Sequence, residues 1–153
     1  GPMAGISDEQ VRKSLDNNVL SNHWLCQMVL PGMIERKDGS IVIISSIGGL
    51  RGSPIIGAYN ISKAADFQLA RNYAAEYGQH NINTNCVAPG LIKTDFARAL
   101  WENPKTAEAY NTSHPMRRMG EPDELAGAAI LLASPAGRYI NGQMIVVDGG
   151  STI

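Results

Sequence analysis

The sequence predicts an α/β fold built on a parallel sheet of about three strands with flanking helices. Helical and extended stretches alternate along the chain, which is the pattern of strands joined by helical crossovers. Ile41-Val42-Ile43-Ile44 is a β-branched run without polar alternation, as expected of a strand covered on both faces. At 153 residues the chain is long enough for one domain with a core and too short for two.

The elements follow in order. Gly1-Pro2 ahead of Met3 reads as a tag-cleavage remnant, so residues 1–3 are set apart and 4–153 are read as one domain. A first helix is expected over 8–35. Ser7 suits the N-cap, Asp8 and Glu9 suit the positive end of the dipole, and Val11, Leu15 and Val19 recur at helical spacing. Pro31 should bend or interrupt its last turn. Asp38-Gly39 marks a turn into the Ile41–Ile44 strand, and a Gly/Ser-rich loop follows from Ser45 to Ile56. A second helix is expected over 58–77, with Gly78 as its C-cap and several alanines that permit close packing. Ile82 to Val87 reads as the next strand, stopped by Pro89-Gly90. Weaker helical stretches at 94–100 and 106–110 are broken around Pro104. A further helix starts at Glu121-Pro122-Asp123 and runs to Ala133, and Gln143 to Val147 forms the last strand.

Composition excludes several classes. Thirteen Lys and Arg against fourteen Asp and Glu give no electrostatic case for nucleic acid or an anionic membrane as partner. No apolar run approaches the roughly 20 residues of a bilayer-crossing helix. Cys26 and Cys86 have no CxxC spacing and read as reduced, buried thiols of a cytoplasmic protein. His23, His80 and His114 lack metal-ligand spacing, so no metal is expected.

The chemistry gathers around Tyr59 and Lys63, four apart on the second helix and therefore on one face. An ammonium beside a phenol favours the phenolate, which makes Tyr59 a candidate general acid/base. A YxxxK spacing alone is weak. Ser46 adds to it, because it lies just past the end of the Ile41–Ile44 strand, where an open parallel sheet has its ligand crevice.

With these residues in place the chain resembles the short-chain dehydrogenase/reductase family over roughly Asp8 to Gly150. Ile43-Ile44-Ser45-Ser46 resembles the family's strand-end serine, and Tyr59-Asn60-Ile61-Ser62-Lys63 its YxxxK. Asn18, thirteen residues before Pro31, is similar to its active-site asparagine. Asn85-Cys86-Val87-Ala88-Pro89-Gly90, then Ile92 and Thr94, resembles the NxxxPGxIxT segment, and Gly142 with Asp148-Gly149-Gly150 the closing strand. Residues 88–94, Phe96, Trp101 and 117–122 look most like the carbonyl-reductase branch. That branch includes peroxisomal members ending in a Ser-Lys-Leu type signal, whereas this chain ends Ser151-Thr152-Ile153.

The resemblance implies the C-terminal part of a Rossmann-like, doubly wound parallel sheet and an oxidoreductase that interconverts a small-molecule carbonyl and its alcohol with NAD or NADP. It implies that Tyr59 moves the proton, Lys63 supports Tyr59 and hydrogen-bonds the nicotinamide ribose, Ser46 polarises the substrate oxygen, and Asn18 holds a relay water. Pro89, Gly90, Ile92 and Thr94 would line the nicotinamide, and 94–120 would be the substrate lid. Helices 8–35 and 58–77 would form a homo-oligomer interface. The family's TGxxxGxG turn and Asn-Asn-Ala-Gly strand do not occur in these residues. The expectation is therefore a truncated chain that is weak or inactive alone, with a hydrophobic sheet edge open to another chain. Three readings stay open: an oxidoreductase completed by another polypeptide, a non-catalytic remnant serving as an oligomerisation or binding module, and a shortened piece of an ordinary enzyme.

Overall fold

Three parallel strands in the order β1-β2-β3 form the centre of the computed structural model, which describes residues 1–153. Strand β1 spans Gly39–Ile44, β2 spans Ile82–Pro89 and β3 spans Met144–Val147. In register, Gly39 pairs with Ile82 and Ile44 with Val87, while Cys86 pairs with Met144 and Pro89 with Val147. Helices α1 (Asp8–Leu15), α2 (Ser21–Arg36) and α3 (Gly57–Tyr77) precede or join β1 and β2. Helices α4 (Arg98–Trp101), α5 (Pro104–Ser113) and α6 (Ala126–Ala133) lie between β2 and β3.

Alternation along the strands assigns the two faces. Ile41, Ile43, Cys86 and Ala88 pack with Phe67 and Ala70 of α3, and Ile82 packs with Tyr73, Cys26 and Leu30. From the other face Ser40 donates its hydroxyl to the Leu132 carbonyl of α6 at 2.8 Å. The central strand β2 is buried along nearly its whole length. β1 is not, and this corrects the expectation of a strand covered on both faces: Ile43 is buried but Ile44 is 51% exposed. Its β-branched run belongs to an edge strand.

Several element ends differ from the sequence reading. The first helical run is α1, a π-helical turn over Asp16–Leu20, and α2. Pro31 does not stop α2, which continues to Arg36. The carbonyl that loses its partner to proline, on Gln27, lies on an exposed residue where water can serve it. The turn into β1 is made by Lys37, left-handed at φ 52°, and not by Gly39. Gly39 is already in the strand, where a Cβ would meet Met33 Sδ at 2.6 Å. Gly78 is the C-cap of α3, as expected, but stays right-handed, because a 3-10 turn over Gly78–His80 follows directly. Asn81 takes the left-handed position instead, and its side chain donates to the Lys37 carbonyl at 3.1 Å. Pro104 starts α5, with Asn103 as its cap. The 94–120 stretch thus holds two short helices. No helix is long and apolar enough to cross a membrane.

Candidate active site

β1 ends at Ile44, and the chain turns at Ser45 and Ser46 into a 3-10 turn, Ile47–Leu50. Ser45 donates its hydroxyl to the Lys63 carbonyl at 2.7 Å, tying the strand end to α3. Ser46 Oγ accepts the Gly48 N–H at 3.0 Å, which fixes the hydroxyl at the mouth of the sheet. Glycine is required at 48 and 49 because the turn lies directly on α3. A Cβ at Gly49 would sit 2.7 Å from the Ala64 nitrogen, and one at Gly48 would sit 2.6 Å from Asn60 Oδ1.

That same point at Gly48 lies 3.3 Å from Ser46 Oγ and 3.4 Å from Tyr59 Cε1, so serine and phenol flank one glycine. Lys63 Nζ stands 5.9 Å from the centre of the Tyr59 ring. The three residues therefore converge on one face at the carboxyl end of the sheet. Phe96, 90% exposed, stacks on the outer side of Tyr59 with ring centres 6.5 Å apart. The Tyr59 hydroxyl makes no hydrogen bond within the chain, leaving it open to a ligand.

Asn18 lies in the π-helical turn and joins the group indirectly. Its Nδ2 donates to Ser62 Oγ at 2.9 Å, and Ser62 donates on to the Tyr59 carbonyl at 2.7 Å. Its own carbonyl accepts from Asn22 Nδ2 at 2.7 Å, and no hydrogen bond joins Asn18 to Lys63. Lys63 Nζ donates to the Ile44 carbonyl at 3.0 Å and to Asp66 Oδ2 at 3.2 Å. Asp66 is fully buried and accepts a second bond from Asn22 at 3.0 Å. Burial pushes its carboxyl pKa up, and Lys63 and Asn22 pull it back only in part.

The Pro89–Thr94 segment runs from the end of β2. Gly90 donates its N–H to Val147 at 2.9 Å, so that group is already used within the sheet. Ile92 is buried and bridges to Gly120, and the Thr94 carbonyl accepts from Trp101 Nε1 at 2.8 Å. His23 bonds to Tyr73 at 2.6 Å, pinning α2 to α3. Sequence reasoning missed Ser45, Ser62, Asn22 and Asp66. The signal for Asp66 is its place three residues after Lys63, and for Asn22 four after Asn18, but such spacings usually mark solvated pairs.

A family model described as enoyl-(acyl carrier protein) reductase matches residues 1–152. The bovine dehydrogenase/reductase SDR family member 4 is 42% identical over 151 residues, 99% of this chain and 54% of that protein. The chain belongs to the short-chain dehydrogenase/reductase family. Relatives of this family that the chain matches are NAD(P)-dependent oxidoreductases. A gluconate 5-dehydrogenase from Burkholderia cenocepacia, solved with NADP and tartrate, superposes with a TM-score of 0.95 at 32% identity, covering 99% of this chain and 60% of that one. A 3-oxoacyl-[acyl-carrier protein] reductase from Brucella melitensis with bound NAD gives 0.89 at 30% identity, covering 100% and 56%. This short-chain dehydrogenase/reductase chain thus spans about half the length of the curated relatives it matches.

Proposed function

We propose that the chain carries the proton-transfer site of an NAD(P)-dependent carbonyl/alcohol oxidoreductase. The observation that supports this best is the convergence of Ser46 Oγ and the Tyr59 ring on Gly48, with the Lys63 ammonium 5.9 Å from that ring. In the reducing direction Ser46 hydrogen-bonds the substrate oxygen and Tyr59 gives that oxygen its phenolic proton as the carbon accepts hydride. In the oxidising direction the Tyr59 phenolate takes the proton back. Lys63 supplies positive charge beside the developing phenolate, and Asn18 holds Tyr59's helix through Ser62.

The donor set fits the nicotinamide end of a dinucleotide: an unpartnered phenol, a lysine with one ammonium hydrogen uncommitted, and Pro89, Gly90, Ile92 and Thr94 at the end of β2. When bound, that group would supply or accept the hydride. A TGxxxGxG turn to take a pyrophosphate is not among these residues, so weak binding by these residues alone is expected.

Titration of the chain with NADH and NADPH, read by energy transfer from Trp24 and Trp101, tests this. Binding weaker than about millimolar is expected from the chain alone. Any carbonyl reduction detected, alone or with a complementing polypeptide, should fall to background in Tyr59→Phe with the fold intact. Turnover that survives this substitution overturns the reading.

A second role rests on a separate observation. α2 leaves Trp24, Leu25 and Met28 exposed, and Ile61 is exposed on α3. Exposed apolar side chains of this size suit association of like chains through helices 8–35 and 58–77. Light scattering should give a dimer or larger, and a monomer at high micromolar concentration would exclude an oligomerisation role.

A further inference from the structure

Lys63 has a long side chain with four rotatable bonds, and its ammonium makes directed contacts at its far end. Two contacts hold it there: the Ile44 carbonyl at the end of β1 and Asp66 Oδ2 one turn further along α3. The Ile44 carbonyl is an ordinary neutral acceptor. Asp66 is different in kind. Its side chain has no exposed surface, while that of Lys63 is 12% exposed.

A buried carboxylate needs a reason, because an apolar residue at this place would fill the same space without the desolvation cost. Its surroundings suggest one. Asp66 Oδ1 accepts from Asn22 Nδ2 on α2, and the same nitrogen donates to the Asn18 carbonyl in the π-helical turn. Lys63 faces it from α3, and from β2 the Cys86 thiol points to its main-chain carbonyl at 3.5 Å. No other charged side chain meets the carboxylate. All of its directed interactions therefore lead either to Lys63 or to the turn that carries Asn18.

We infer that Asp66 is a positioning residue for Lys63, coupling the lysine ammonium through Asn22 to the π-helical turn and so setting its place beside Tyr59. This rests on the proposed proton-transfer role of Tyr59 and Lys63. Asp66 touches neither substrate nor cofactor. Two of the three ammonium hydrogens are directed to Ile44 and Asp66, and the third is left for a ligand. Anchored in this way, Lys63 loses little conformational freedom when a ligand engages it.

The test is lysine-selective acylation of the whole chain by a small N-hydroxysuccinimide ester, followed peptide by peptide by mass spectrometry. The exposed Lys13 and Lys105 serve as internal references, and unfolding temperature is measured in parallel. In the wild type Lys63 should react at least tenfold more slowly than the references. In Asp66→Asn, which keeps the shape and removes the charge, Lys63 should react at least fivefold faster than in the wild type while the references do not change. Asn22→Ala keeps the carboxylate and loosens it, so a rise of about twofold is expected there, and this variant decides the matter if Asp66→Asn does not fold. A Lys63 rate unchanged in the folded variants overturns the inference and assigns Asp66 a packing role only. Repeating the acylation in a Tyr59→Phe background separates the two proposals. A Lys63 rate that still depends on Asp66 there supports positioning whether or not turnover depends on Tyr59, whereas turnover that survives Tyr59→Phe overturns only the proton-transfer reading.

Discussion

Two ion pairs of this chain are opposite in character. Lys63–Asp66 lies inside, between α2 and α3, with a carboxylate that has no exposed surface. Arg118–Glu124 lies outside, before α6, with both side chains more than 40% exposed. Burial raises the Asp66 pKa in spite of the adjacent lysine. The fork of Arg118 on both Glu124 oxygens, helped by the Glu121 N–H, lowers the Glu124 pKa to about 2. Burial therefore works against the charge on one carboxylate, while the surroundings of the other favour it. The difference separates a pair kept for what it does to the lysine from a pair that simply staples two segments together.

The widest gap between the pairs should appear when each loses its cation. Lys63→Met strands Asp66 as an uncompensated buried charge, and a loss of about 3–5 kcal/mol is expected at pH 8. The loss should shrink as pH falls, because the orphaned carboxyl can then take up a proton. Adding Asp66→Leu to Lys63→Met should recover most of the stability, since the pair is then replaced by apolar side chains. Denaturant unfolding at pH 8 and pH 5 measures all three. A Lys63→Met variant as stable as the wild type at pH 8 would mean that the carboxylate is not desolvated in solution.

Asp66→Asn gives a smaller effect, visible in its pH dependence. The folded chain holds the Asp66 proton to higher pH than the unfolded chain, whose value is near 3.8. Folding therefore binds a proton in that window, and the Asp66 contribution to stability falls as pH rises from 3.8 through the raised value. The asparagine variant lacks this slope. Its unfolding temperature should change less with pH from about 4 upward, and should match or exceed that of the wild type near neutrality.

The same contrast explains what could be read in advance. The parallel α/β class, the three strands and the pairing of Tyr59 with Lys63 on one face follow from periodicity and spacing, which are local properties of the chain. Ile41–Ile44 has the composition of a strand covered on both faces, but what packs over a face depends on the rest of the fold, and Ile44 stays exposed. Lys37 and Asn81 hold the left-handed positions ahead of β1 and β2, where glycine would be the residue to look for. Asp66 was invisible for a related reason. Lys63-Ala64-Ala65-Asp66 looks like a solvated i,i+3 pair, and only the approach of α2 with Asn22, 44 residues away, turns it into a buried network. Asn18 was identified, but its bonds to Ser62 and Asn22 depend on the π-helical turn, which no residue pattern announces.

The outer pair supplies the smallest effect and the opposite sign. Glu124 has a folded value of about 2 against an ordinary 4.5, so its contribution is complete above 4.5 and lost as pH falls toward 2. Glu124→Gln should change the unfolding temperature at pH 7 by no more than about 2 °C, as for other exposed pairs, and added salt should narrow even that difference. Acidification should then destabilise the wild type more steeply than the variant below pH 4.5. This is the reverse of the comparison at Asp66, where the wild type carries the slope of opposite sign. If Glu124→Gln and Asp66→Asn altered the acid profile in the same direction, the division into an exposed staple and a buried positioning pair would fail, because both carboxylates would then be stabilised by their cations in the same way.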